Sequence, residues 1–189
     1  FGFGKARQGT PALLARLSPE MGYELHVVSP VMIRVADGSE AMVSSSMVRR
    51  FLLERNVAAA AECLTRPYEL VGSVVPGDGR GRTIGFPTAN LDSADQLIPG
   101  DGVYAGRTEV VGRKYGCAIN VGPAPTFAAA QRRVEAHLLD FEGHLYGRTL
   151  RVSFDEFLRG QQRFASAEAL TEQLRVDVAA VRGRVRNGA

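Results

Sequence analysis

Between residues 68 and 158 the chain is a succession of short β-type runs separated by glycine turns: "YELVGSVV" (68–75), "TANL" (88–91), "GVYAGRTEVV" (102–111), "YGCAINVG" (115–122), "RVEAHLLDF" (133–141) and "TLRVSFDEFL" (149–158). Short strands at this spacing, joined through turns such as "DGV" and "FEGHLYG", predict a closed or nearly closed antiparallel barrel, because closure is the one arrangement that leaves no strand edge unpaired. The tail follows a different period. Leu170, Leu174, Val178, Val181 and Val185 recur at three- and four-residue steps behind Ser166, the pattern of an amphipathic helix packed on the barrel.

The first third has another texture. Leu13, Leu14 and Leu17 follow Thr10-Pro11, which suits an N-cap with proline at the first helical position. "YELHVVSPV" (23–31) is β-rich and precedes the Asp37-Gly38 turn signal, so a strand is expected there. "SSSMVRRFLLER" (44–55) predicts a serine-capped helix and "VAAAAECL" a second one. This strand-and-helix alternation ends near Arg66-Pro67 and divides the chain into 1–65 and 66–189. The expected fold class is α+β, mostly β: a barrel with a C-terminal helix, preceded by an incomplete α/β segment.

Composition narrows the function classes. The 189 residues are 45% apolar and 23% charged, ordinary for a globular protein, and no stretch approaches the 18 or so apolar residues of a membrane span. A chain that begins at Phe1 and not at Met is expected to be a fragment. Cys63 and Cys117 are far apart and form no metal or disulfide framework, which fits a reducing cytoplasm. The net charge of +3 comes from scattered arginines without interleaved aromatics, so small anionic ligands are expected as partners, not nucleic acid and not a membrane.

"GDGRGRTIGFPTANL" (77–91) concentrates the chemistry. Gly77, Gly79 and Gly81 let main-chain N–H groups approach an anion, while Arg80 and Arg82 add charge, which makes a phosphate cradle; a flexible hairpin tip is the bland alternative. In a strand, Thr88 and Asn90 project to one face and Ala89 to the other. Their two neutral oxygens suit a Mg²⁺–nucleotide site; otherwise they form a polar face satisfied by backbone or water. In "RRVEAHLLDF" alternation puts Glu135, His137 and Leu139 together. A carboxylate among apolar strand residues is a candidate proton acceptor, with an ion pair to Arg132 or Arg133 as the structural alternative. His137 reads as a hydrogen-bonded strand residue.

These segments, together with "GVYAG", "INVGPAPTF", "VEAHLLDFEGHLYGRTLRVSF" and "FLRGQQRFASAEAL", resemble riboflavin kinase in order and spacing across nearly all of 67–183. The resemblance implies a six-stranded Greek-key barrel with a C-terminal helix, which transfers the γ-phosphate of Mg-ATP to the 5′-hydroxyl of riboflavin to give FMN and ADP. It further implies that Gly79, Gly81 and Arg82 belong to a flap over the ATP phosphates, that Thr88 and Asn90 hold Mg²⁺, that Glu135 is the catalytic base, and that Arg159 lies near the flavin. Gln161 departs from the Glu often found two positions after that arginine.

Residues 1–65 resemble the last part of the FMN adenylyltransferase domain that precedes the kinase in bacterial bifunctional FAD synthetases, with the serine-rich stretch in place of that family's Ser-Ser-Thr-x-Ile-Arg motif and Ser46 and Val48 as departures. Ser44, Ser45, Ser46 and Arg49 then form a remnant anion site; otherwise they simply cap a helix. No His-x-Gly-His occurs, so the adenylyltransferase half is incomplete in these residues. The readings to separate are a flavokinase, an adenylyltransferase fragment with a docking barrel, and a non-catalytic flavin- or nucleotide-binding regulatory module.

Overall fold

A computed structural model describes residues 2–34, 38–93, 96–123 and 132–187, with side chains through Arg184. Two compact units divide the chain, Phe1–Val43 and Ser44–Ala189. Packing thus groups 44–65 with the barrel, whereas the change in sequence texture lies at Arg66-Pro67. Among the described residues no helix is long and apolar enough to cross a membrane.

The first unit has helix α1 (Pro11–Met21), whose Thr10 hydroxyl accepts from the Leu13 N–H at 3.2 Å while Pro11 stands in the first turn. Gly22 ends α1 in the left-handed region, and the Tyr23 hydroxyl ties the following chain back to the Leu14 carbonyl at 2.7 Å. The strand expected over 23–31 is not formed. Strands β1 (Met32–Arg34) and β2 (Glu40–Met42) pair instead, closed by Val43 N–H on the Val31 carbonyl at 2.9 Å. A β-rich composition makes a strand only where a neighbour completes the ladder, and 23–30 has no ladder partner among the described residues. Asp37 of the expected turn lies outside the described residues. Val27 and Val28 remain 66% and 86% exposed.

The second unit begins with α2 (Ser45–Leu53), capped by the Ser44 hydroxyl on Met47 N–H, and α3 (Val57–Leu64), capped by Asn56 on Ala59 N–H. Leu52, Val57 and Ala60 are buried in the same core as the barrel residues, which fixes both helices to it.

The barrel strands are β3 (Tyr68–Val75), β4 (Ala89–Asp92), β5 (Gly102–Val110), β6 (Arg113–Pro123), β7 (Arg132–Leu138) and β8 (Thr149–Phe154). They close in the order β3-β4-β7-β6-β5-β8 and back to β3, six antiparallel strands in which β4 lies beside β7 in a Greek key. Residues 124–127 of "INVGPAPTF" fall outside the described part of the β6–β7 connection.

The period of two predicts which side chains fill the interior. Val134, Ala136 and Leu138 point in with Leu70, Val121, Ile119 and Phe154, and Tyr104 packs its ring edge against Phe154 at 5.2 Å. Cys117 is fully buried, and desolvation pushes its thiol up to about 12.

The seam between β5 and β8 is the weakest in backbone terms, with Thr108↔Val152 as its paired position before β9 (Glu156–Arg159) takes over beside β5. Side chains stand in for the ladder there. Thr108 donates to the Arg151 carbonyl at 2.8 Å, Ser153 accepts from Arg107 N–H at 3.0 Å, and Asp155 binds both the Ser153 hydroxyl and the Arg107 guanidinium at 2.8 Å. Gly106 permits this crossing, because a Cβ there would lie 1.9 Å from the Ser153 carbonyl oxygen.

Helix α5 (Ala167–Asn187) packs outside the barrel, where Val181 and Val178 meet Ala105, Ala118, Leu139 and Leu158 in a second apolar cluster. This covering explains why residues 102–106 of β5 are buried on both faces.

Gly106→Ala should cost at least the ~1–3 kcal/mol of an overpacked core site, since the obstacle is backbone and not a flexible side chain. Urea unfolding of the variant checks this, and an unchanged midpoint would contradict the crossing described here.

Candidate active site

A cleft of about 290 Å³ lies on the outer face of β6 and β7, walled by the loop at 80–88, by 159–164 and by α5; Gly81, Thr88, Glu135 and Arg159 all line it. A wider groove of about 670 Å³ elsewhere on the barrel is lined by none of the residues singled out in the sequence. Its Arg151 and Arg107 are already paired with Glu69 and Asp155.

Glu135 occupies the middle of β7, opposite Asn90 of β4 on one side and Asn120 of β6 on the other. Alternation faces it outward while Val134 and Ala136 fill the core. The ion pair that would give it a purely structural role is not formed. Arg132 binds Asp101 at 2.6 Å and the carbonyls of Ile98 and Pro99, and Arg133 reaches Asp78 at 3.3 Å. Glu135 itself accepts no hydrogen bond among the described residues. Burial raises its carboxyl above the ordinary glutamate value; Asp78 adds to the rise, while Arg133 and Arg80 oppose it. Such a group is a proton acceptor poised closer to neutrality than an exposed glutamate.

The glycine loop takes a more ordered form than a flexible tip. Residues Arg80–Thr83 make one helical turn, α4, entered through Gly79 in the left-handed region. The Arg82, Ile84, Gly85 and Phe86 amides are bonded within the loop, so the main-chain cradle is confined to its start. Gly81 packs against the Phe86 carbonyl. At Gly77 a Cβ would lie 2.1 Å from the Asn90 amide, so the missing side chain makes room for Asn90 beneath the loop. Thr88 borders both the main cleft and a smaller cavity of about 80 Å³ that Arg82 also lines. Asn90 and Gly79 line neither cavity.

His137 is a hydrogen-bonded strand residue: Nδ1 meets the Pro87 carbonyl at 2.8 Å, which places a proton on that nitrogen, and the ring stands edge-on to Phe86 at 5.4 Å. This bond ties β7 to the residue just before Thr88.

Arg159, at the end of β9, is not a solvated charge. Its Nε and Nη2 bind the Asp177 carboxylate at 2.7–3.2 Å and its Nη1 donates to the Gly160 carbonyl at 3.1 Å. Gln161 donates from Nε2 to the Asn120 side-chain oxygen at 2.8 Å and the Val121 carbonyl at 2.6 Å, two acceptors that a Glu could not serve.

Ser44, Ser45, Ser46 and Arg49 lie at the start of α2, where the Ser44 hydroxyl accepts from Met47 N–H as the N-cap. Asp177 and Asn120 also line the main cleft; Asn120 lies within the "INVGPAPTF" stretch but was not singled out there, and Asp177 belongs to none of the quoted motifs. The signal for Asp177 was an acid beside Val178 on an otherwise apolar helical stripe.

The profile of the family described as "Flavokinase: Riboflavin kinase" matches residues 64–185. Bifunctional riboflavin kinase/FMN adenylyltransferase of Escherichia coli K12 is 38% identical over 179 residues, 94% of this chain and 55% of that protein. The Bacillus subtilis protein of the same description is 36% identical over 150 residues, 77% of this chain and 48% of that one. A crystal structure described as a macrolide-efflux protein from Streptococcus pneumoniae is 34% identical with a TM-score of 0.79, covering 96% of this chain and 57% of that one. The chain spans about half the length of the curated relatives it matches.

Titration of Glu135 followed by its carboxyl carbon resonance should give a midpoint above that of an ordinary glutamate. Asp78→Asn should lower it, because the variant removes a negative neighbour that raises the carboxyl's proton affinity. A midpoint in the ordinary range for the unaltered chain would contradict the desolvation of this carboxyl.

Proposed function

The chain belongs to the riboflavin kinase family, and on that premise we propose that it transfers the γ-phosphoryl group of ATP to the 5′-hydroxyl of riboflavin, yielding FMN and ADP. The observation that carries this reading is Glu135: a half-buried carboxylate with a raised proton affinity, without a hydrogen bond among the described residues, in a cleft shared with Thr88, Gly81 and Arg159. A site that only held flavin or nucleotide would have no use for such a group, which disfavours a non-catalytic regulatory module.

In the proposed reaction Glu135 accepts the proton of the riboflavin 5′-hydroxyl as that oxygen bonds to the γ-phosphorus and the bond from phosphorus to the ADP oxygen breaks. The flap residues Gly79, Gly81 and Arg82 act on the ATP phosphates, with the arginine supplying charge. Arg159 binds the flavin side, where a planar guanidinium can stack or donate.

Among the described residues no three of His, Cys, Asp and Glu gather as a metal cage. We assign as donors the Thr88 hydroxyl, which borders the cleft, and the Asn90 carbonyl, which lies beneath the Gly77 loop; this neutral oxygen pair suits Mg²⁺ brought with the nucleotide, since that ion keeps few protein ligands. When bound, Mg²⁺ neutralises charge on the phosphate oxygens.

We assign residues 1–65 to the end of an FMN adenylyltransferase domain and 66–189 to the kinase, with Ser44, Ser45, Ser46 and Arg49 as the remnant anion site. The chain's histidines, His26, His137 and His144, include no His-x-Gly-His pair to neutralise charge at an α-phosphate. Two free cysteines support a cytoplasmic setting.

Incubated with riboflavin and Mg-ATP, these 189 residues should form FMN and no FAD by chromatography. FAD formation would overturn the reading of 1–65, and failure to form FMN would overturn the kinase.

Glu135→Gln should lower kcat on the order of 10²–10⁴-fold with Mg-ATP affinity nearly intact, the usual range for a general base. In the unaltered enzyme the acid limb of kcat should lie above the ordinary glutamate range, because protonation on that side removes the acceptor. Thr88→Ala and Asn90→Ala should weaken Mg-ATP binding and turnover together; normal affinity by calorimetry in both would exclude the metal role.

A further inference from the structure

Asp177 is 3% exposed and sits on α5, far from any sequence motif. Its carboxylate is fully engaged: Oδ1 accepts from Arg159 Nε at 3.0 Å and from Gln173 Nε2 at 3.0 Å, and Oδ2 accepts from Arg159 Nη2 at 2.7 Å. Gln173 lies one helical turn before Asp177, so its amide braces the carboxylate from the same helix.

A side-chain pair of this kind is a poor device for stability alone. Two charges removed from water lose much of what their attraction returns, and an apolar pair of similar volume does as well or better. What the carboxylate does accomplish is orientation. Binding Nε and Nη2 together fixes the guanidinium plane, and the bond from Nη1 to the Gly160 carbonyl fixes it from the other end. One hydrogen on each terminal nitrogen is left without a partner among the described residues. Arg159 lines the cleft, with its guanidinium carbon 5.8 Å from the centre of the Phe164 ring, which lines it too. Without Asp177, a long flexible side chain at a strand end would sample several rotamers.

We propose that Asp177, backed by Gln173, is a positioning residue for the kinase reaction: it holds the Arg159 guanidinium in one plane so that its remaining N–H groups and flat face meet the flavin. Through this pair α5 becomes part of the substrate site, although Asp177 acts on the flavin only through Arg159. The proposal rests on the reading of Arg159 as a flavin-binding group.

The test combines riboflavin binding, followed by quenching of its fluorescence, with steady-state kinetics and thermal melting for Arg159→Ala, Asp177→Asn, the double variant and Arg159→Lys. Asp177→Asn should weaken riboflavin binding and raise its KM roughly 10- to 100-fold, the range for loss of a supporting contact around a positioned group, with a smaller change in kcat. The double variant should bind no worse than Arg159→Ala, since Asp177 has nothing else to position. Arg159→Lys keeps a positive charge beside Asp177 but not the fork, and should melt near the unaltered chain while binding riboflavin weakly. This variant decides the matter if Asp177→Asn fails to fold.

Normal riboflavin affinity in Arg159→Lys, or losses that multiply in the double variant, would overturn the positioning role and leave a helix staple. Normal affinity in Arg159→Ala would overturn the assignment of Arg159 itself, and the proposal with it.

Discussion

The crossing of β5 over β8 at Gly106 is the constraint on which the rest depends. Backbone pairing is sparse there, and the barrel closes because the Ser153 carbonyl can approach Gly106 while Thr108, Ser153 and Asp155 supply the bonds that a ladder would have made. Closure sets where each neighbouring strand runs. It lets one continuous segment serve β5 twice, first as β8 and then, past Asp155, as β9, and so delivers Arg159 to the rim of the cleft.

The candidate site is built on the outside of this barrel and not in its interior, which is filled by side chains. Alternation along β7 makes the arrangement possible: the same strand commits Val134, Ala136 and Leu138 to the core and frees Glu135 and His137 for the outer face. α5 then covers part of this outer face, packing Val178 and Val181 on Ala105, Ala118, Leu139 and Leu158, and its Asp177 and Val178 line the same cleft as Glu135, whose burial raises its proton affinity.

Strand and helix identities in the barrel were legible because each depends on a period that burial enforces, and Glu135 was legible as a carboxylate among apolar strand residues. The strand expected at 23–31 was not realised, since β propensity says nothing about whether a partner strand is present. The glycine loop suggested an open cradle, yet its amides largely close on their own carbonyls in the α4 turn, a competition between local and ligand bonds that glycine content does not decide. Asp177 was hidden for a related reason. An acid on an apolar stripe acquires meaning only when its partner is known, and Arg159 stands 18 residues earlier on a different element.

The buried Cys117 pairs with Gly106 across the β5–β6 ladder, close to the crossing that closes the barrel. Its thiol, held protonated by desolvation, cannot meet an alkylating reagent while the barrel is shut. Modification must wait for the strands to part, so the rate of labelling at this sulfur measures how often the closed ring opens. The chain thereby carries an internal gauge of barrel breathing, at a position where no added probe would fit.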